Sequence, residues 1–175
     1  AKSVETKDQL LFISQGTVGI PLSKFAVKLQ EDKRVDVKIV YKLHPGEYDR
    51  WRSEYPWLHN SAVEVVDGEI PTLYDLFAES RAQIGVASTA MYEGLAFDLE
   101  TLVYAVPGVD RNILDPLLKD GPAREVKRTD DLADGLRGEG PDFNKEYYFS
   151  PGASRNAINM IQHLAMRGTV YHNTD

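Results

Sequence analysis

Cysteine is absent from all 175 residues, which removes disulfides, thiolate metal sites and cysteine nucleophiles from consideration. The absence fits a reducing compartment, and the cytoplasm is the expected location. No apolar run approaches the roughly 18 residues of a membrane span. The first eight residues, Ala1 to Asp8, lack the apolar stretch of a secretory signal. The chain also opens without Met, which leads us to expect a processed protein or a piece of a longer one. Cations are short too: 20 Lys and Arg against 27 Asp and Glu give a net charge of −7. That balance argues against a broad basic surface for DNA or RNA. A small phosphorylated ligand is a different case, because it needs only two or three local donors. Several catalytic signatures are missing as well. There is no HExxH, and His59, His163 and His172 have no partner at metal-ligand spacing. No GxSxG elbow supports a hydrolase.

What is present is the composition of one globular domain, 42% hydrophobic and 27% charged. Short β-branched runs alternate with helical stretches. Strands are expected at Leu10–Gln15, Val35–Leu43, Ala62–Val66, Ala82–Ala87, Thr101–Val106 and Arg124–Lys127. Helices are expected around Pro21–Asp32, Glu47–Glu54, from Thr72, from Ser88 to Phe97, and at Arg111–Lys119 and Asp130–Leu136. A last helix, at about 151–167, starts from Ser150 as cap and Pro151 at its first position. Its apolar stripe is Ala157, Ile158, Ile161, Leu164 and Ala165. Five or six strand–helix units in succession predict an α/β fold: an open doubly wound parallel sheet, Rossmann-like, with helices on both faces. The expected organisation is a single nucleotide-binding domain over 9–167, with tails at 1–8 and 168–175.

In such a sheet, ligands bind outside the carboxyl ends of the strands, which singles out four loops. Gln15-Gly16-Thr17-Val18-Gly19 offers backbone amides to a phosphate or a sugar. It is neither a GxGxxG fingerprint nor a Walker A loop, and a tight turn needing positive φ accounts for its glycines equally well. Lys42 and His44 lie two residues apart at the end of a strand, so they share a face. Pro45 stiffens the exit. A lone His is more often structural than catalytic, but a strand-end His beside Lys and before Pro favours function. Ser88 and Thr89 are placed to cap a helix whose free amides suit a phosphate, with Glu93 one turn further in. Capping alone explains the same residues. Between them, Gly68 and Ile70 could hold a base. Trp51, Tyr55 and Trp57 interleave with Arg50 and Arg52 in a way that suggests stacking on nucleic acid. The acidic balance favours core packing, or a cover for the nearby loop, instead.

The Lys-x-His-Pro motif (Lys42, His44, Pro45, with Glu47 behind it) and the Ser-Thr-x-x-x-Glu motif (Ser88, Thr89, Glu93) carry a family likeness. They are joined by the spacing through Tyr74-Asp75-Leu76-Phe77 and Ile84-Gly85. From about Leu10 to Met166 the chain resembles the carboxyl-terminal, donor-binding domain of GT-B-type glycosyltransferases. It is similar to bacterial surface-polysaccharide enzymes: capsule synthesis proteins, sialyl- and polysialyltransferases and teichoic-acid glycerophosphotransferases. The resemblance implies that His44 and Ser88/Thr89 hold the donor's phosphates, with His44 supporting the leaving group, and that Glu93 contacts its ribose or sugar. It implies a CMP-, CDP- or UDP-linked donor as substrate, cytidine preferred to adenine, and no separate cofactor. An acceptor-binding amino-terminal domain would lie outside this chain, with peripheral membrane association open to the full enzyme. No metal is expected, since Asp67-Gly68-Glu69 and Asp98-Leu99-Glu100 only approximate an Asp-x-Asp motif. Two alternatives stand beside this: a sugar-nucleotide epimerase, although the Asp-Ser-Gly-Gly loop of such enzymes is replaced by Ser88-Thr89-Ala90, and a non-catalytic nucleotide-binding module.

Overall fold

Strand β1 (Gln9–Ile13) is buried along its whole length, the mark of a strand covered on both faces. The computed structural model describes residues 8–119, 121–132, 136, 143–153, 155, 156, 158 and 160. In it β1 pairs in parallel with β2 (Lys38–Lys42) on one side and β4 (Ala82–Gly85) on the other. β3 (Glu64–Val66) extends the β2 side, and β5 (Glu100–Tyr104) and β6 (Ala123–Val126) extend the β4 side. The sheet therefore has six strands in the order β3-β2-β1-β4-β5-β6, all parallel. The doubly wound, Rossmann-like α/β architecture is as the strand–helix alternation predicts. The strand order reverses between β1 and β4, where β1 and the segment leading out of it sit beside β4.

The pleat sorts each strand's side chains between two apolar layers. Leu10, Phe12, Ile39, Tyr41, Ile84 and Leu102 join one core with Leu22, Phe25, Ala26 and Leu29 of α1 (Gly19–Glu31). Leu11, Val40 and Val103 are equally buried but belong to the opposite layer. That side is closed by the buried residues Leu76 and Phe77 of α4 (Leu73–Glu79) and Met91 and Leu95 of α5 (Ala90–Leu95). Helix α1 forms because its apolar residues recur at three- and four-residue steps. Pro21 is tolerated in its first turn, where backbone amides have no intrahelical partner.

Several helix boundaries differ from the sequence expectation, for local reasons. The helix expected over 47–54 is a 3₁₀ turn at Pro45–Glu47, then α2 (Trp51–Glu54), with α3 (Pro56–His59) after it. The break falls at Tyr55, at φ −123° and ψ 57°, since a residue preceding proline is pushed out of the helical region. The segment 111–119 likewise divides into a 3₁₀ turn at Asn112–Leu114 and α6 (Asp115–Leu118). Helix α5 is shorter than the expected Ser88–Phe97. In place of a helix from Asp130 there is a 3₁₀ turn at Thr129–Leu132; residues 133–135 lie outside those described. By its contacts the chain separates into two compact units, 1–143 and 144–175. In the second, α7 (Lys145–Tyr148) is capped by Asn144, whose side chain accepts from the Glu146 amide at 3.0 Å. Ala153, Arg155, Asn156, Ile158 and Met160 are helical. The rest of the helix expected at 151–167, with most of its apolar stripe, lies outside the described residues, as do the tails apart from Asp8.

Phe12 packs between Phe25 and Tyr41, with ring centroids 6.2 and 6.0 Å away, and is fully buried. Phe12→Ala is expected to lower stability by about 3–5 kcal/mol in urea denaturation. Ile113→Ala, on a half-exposed residue, should stay within about 0.5 kcal/mol.

Candidate functional site

Because all six strands run the same way, the loops after β1, β2, β3 and β4 (15–19, 44–47, 67–71 and 88–89) stand along one edge of the sheet. At that edge the loops after β1 and β2 enclose an open cleft of about 470 Å³. Gln15, Gly16, Thr17, His44, Gly46 and Arg50 line it. No carboxylate is among them.

The His44 turn is built from both ends. Pro45 keeps His44 extended, at φ −68° and ψ 143°. The His44 ring accepts from the Gly46 amide at Nδ1, 3.1 Å away, while the His44 amide donates to Glu47 Oε2 at 2.8 Å. This is a capping box with histidine in the position usually held by Ser or Thr. With Nδ1 used as an acceptor, the proton of the neutral ring sits on Nε2, which becomes an outward donor.

Glu47 is fully buried and its other oxygen is equally occupied. Oε1 accepts from Tyr55 Oη at 2.6 Å and from Ser14 Oγ at 3.1 Å. Ser14 and Tyr41 hydroxyls lie 3.1 Å apart, extending the cluster. Burial first, and then the nearby Glu47 carboxylate, pushes both tyrosine hydroxyls well above the usual phenol range. The same cluster explains Gly19, where a Cβ would overlap the Tyr55 hydroxyl and the Glu47 carboxylate. Neither Gly16 nor Gly19 has positive φ. The requirement at Gly19 is close approach, not the left-handed turn offered as its alternative. At Gly16 a Cβ would stand 3.4 Å from Arg50 Nη2, on the wall of the cleft.

The other expected residues are spread along the edge. Gln15 is central, its Oε1 accepting from the Ala87 amide at 3.1 Å and so tying the β1 loop to the β4 loop across the reversal of strand order. Lys42 turns to the β3 loop: its ammonium donates to the Gly68 carbonyl and, at 3.2 Å, to Tyr48 Oη. Tyr48 Oη donates to the same carbonyl at 2.9 Å. Ile70 is 86% exposed, beyond the lining of the cleft. Ser88 Oγ accepts from the Ala90 amide at 3.3 Å, whereas Thr89 makes no side-chain cap. Both stand at the end of β4, outside the residues that line the cleft. Glu93 accepts from Tyr74 Oη at 2.6 Å and ties α5 to α4. Trp51 and Tyr55 are buried, so the aromatic cluster is core. Asp67 fixes it to the β3 loop by accepting from Trp51 Nε1 at 3.0 Å and Arg52 Nη2 at 2.8 Å. These bonds, Trp51's first, hold its carboxyl below the usual range.

Sequence reasoning passed over Arg50 and Gly46 as lining residues, and Glu47 as a hub. The spacing His44-x-x-Glu47 was a legible signal for the last, once histidine is admitted as a capping residue. Among the described residues there is no cluster of three metal-ligating side chains and no helix long and apolar enough to cross a membrane.

No family model matches this sequence, and no curated protein matches it. Among solved structures the chain is similar to KpsC of Thermosulfurimonas dismutans, a beta Kdo 2,4 transferase, at 19% identity and a TM-score of 0.46. The match covers 75% of this chain and 41% of that one, so the chain spans less than half of that protein's length.

Two outcomes test the hub. Glu47→Ala leaves the Tyr55 and Ser14 hydroxyls and the His44 amide without their acceptor, and should cost about 1–3 kcal/mol for each donor that stays buried and unpaired, read by urea denaturation. Stability should also fall as pH rises past about 10. Tyr41 and Tyr55 lose protons in the unfolded chain near that pH but hold them longer when folded. The folded state then binds more protons, and stability drops with increasing pH. Unfolding midpoints at pH 8 and 10.5 check this, and Tyr55→Phe should flatten the difference.

Proposed function

We propose that this domain binds the phosphates of a nucleotide-activated donor, in a transferase of bacterial surface-polysaccharide synthesis. The observation that carries the reading is a cleft lining that holds a guanidinium, an imidazole and loop amides but no carboxylate. It combines the outward Nε2–H of His44, the Arg50 guanidinium and the loop after β1, with no carboxylate to repel an anion. Among the described residues the amides of Gly16 and Thr17 donate to no protein acceptor, which supports an anionic ligand further. The position at the carboxyl ends of the strands, beside the reversal of strand order, is where doubly wound sheets bind ligands. The transferase class comes from the Lys42-x-His44-Pro45 and Ser88-Thr89-x-x-x-Glu93 motifs.

In this reading the nucleoside phosphate leaves as its bond to the transferred group breaks, and charge builds on its oxygens. His44 Nε2–H donates to that charge from a ring fixed in advance, so little reorganisation is needed in the transition state. Ser88, Thr89, Glu93, Gly68 and Ile70 are assigned to the rest of the donor, with Lys42 as the strut of the Gly68 loop. The cleft offers no general base for an acceptor. The isolated chain should bind a nucleotide and transfer nothing, because the opposite wall belongs to another domain.

Calorimetry with CMP, CDP, UDP and AMP checks the first part. Cytidine nucleotides should bind better than AMP, and equal affinities would leave only generic phosphate binding. In the full-length enzyme His44→Ala should lower turnover by ~100-fold or more, the scale for loss of one transition-state donor, with little change in thermal midpoint. Sustained transfer by the isolated chain, or release of an epimerised sugar, would overturn the assignment.

A further inference from the structure

Arg50 does more than decorate the surface beside the cleft. Its Nε donates to the Gly46 carbonyl at 3.0 Å and its Nη1 to Glu54 Oε1 at 3.0 Å. Two of the three guanidinium nitrogens are thereby fixed, one by the His44 turn itself and one by α2. The third, Nη2, makes no hydrogen bond among the described residues and lies against Gly16. An ion pair four residues apart on an exposed helix contributes little by itself. It also does not account for the bond to Gly46, which locks the guanidinium to the turn that aims His44. A long side chain held at Nε and at one terminal nitrogen, with the other terminal nitrogen left over on the wall of the cleft, is ordered before any ligand arrives.

We infer that Arg50 is a phosphate-binding residue of this cleft, presenting Nη2 to a nucleotide's phosphoryl oxygen beside His44 Nε2–H, and that Glu54 is the positioning residue that orients it. This rests on reading the cleft as a phosphate site and adds to it the cation that the Lys-x-His-Pro motif omits, since Lys42 is engaged with Gly68. Guanidinium suits the place because its planar nitrogens can hold Gly46, Glu54 and an oxyanion at once. A lysine ammonium at the end of a flexible stem does not reproduce that geometry. Gly16 lies beside it, where a Cβ would stand 3.4 Å from Nη2, in ordinary van der Waals contact.

Calorimetry of the full chain with CDP and with cytidine tests the assignment. Arg50→Gln should weaken CDP by about tenfold or more, the scale of one lost charge-assisted bond, while cytidine affinity and the thermal midpoint hold. Arg50→Lys should restore only a minor part of the loss. Glu54→Gln should narrow the discrimination between CDP and cytidine without moving the thermal midpoint. A measurement free of substitution accompanies these: phenylglyoxal modification of the wild-type chain, mapped by peptide mass. Arg50 should be protected by CDP and not by cytidine. If CDP binds, depends on His44 and leaves Arg50 unprotected, or if Arg50→Gln binds it as tightly, the Arg50 assignment falls and the cleft reading stands. If the wild-type chain binds no CDP, both fall.

Discussion

The buried carboxylate of Glu47 is the constraint around which the ligand edge is arranged. A charged group without water needs several donors to be tolerated, and Glu47 draws them from three places: the end of β1 through Ser14, the His44 backbone, and Tyr55 where α2 gives way to α3. Each bond restricts a different segment. The β1 loop is held against the β2 loop, the His44 turn is closed, and the α2–α3 corner is fastened beneath both. Helix α1 must enter so close to this cluster that its first residue can only be Gly19. The mouth of the cleft is thus fixed by a single acceptor that never faces solvent.

The sheet was legible because its signals are strong and redundant. Six apolar, β-branched runs, each followed by a turn and a helical pattern, have few folds open to them, and the strands fall where the runs do. Helix boundaries were less so, because they depend on single residues: Pro56 divides one helix, and the stretch after Asp110 starts as a 3₁₀ turn. The site was legible at the level of loops. His44, Gln15, Gly16 and Thr17 do meet in one cleft. Lys42 was indistinguishable from a ligand-facing cation in sequence, since its engagement depends on a carbonyl 26 residues away. Arg50 was hidden for the converse reason. It sits in an aromatic, basic stretch that reads as core and cover, and only the capped turn brings its guanidinium back to Gly16.

The polar groups along this edge fall into two kinds. Those of Lys42, Tyr48, Asp67, Tyr74 and Glu93 are engaged with partners in the protein and tie neighbouring segments together. Such bonds stiffen the loops but leave less capacity for a ligand, which would have to displace a partner already in place. The groups of His44 Nε2, Arg50 Nη2, the Thr17 hydroxyl and the Gly16 and Thr17 amides are left over among the described residues, and each can donate. An anion is the ligand class that such a set recognises without displacing anything.

Histidine at position 44 then requires an explanation that folding does not supply. Ser, Thr, Asp or Asn would close the same turn better, being the side chains that favour this position. A hydroxyl or carboxylate used as a cap is consumed locally and offers the cleft little. Imidazole has two nitrogens on different sides of a rigid ring. One accepts from Gly46 and completes the cap, and this fixes the proton on the other, which points away from the turn. The cap therefore sets both the orientation and the tautomer of the outward donor. Histidine is thus second-best for the local fold, yet its ring nitrogen Nδ1 and its amide are both engaged in closing the turn, and on the proposed reading the uncommitted Nε2 is what the position supplies to a ligand.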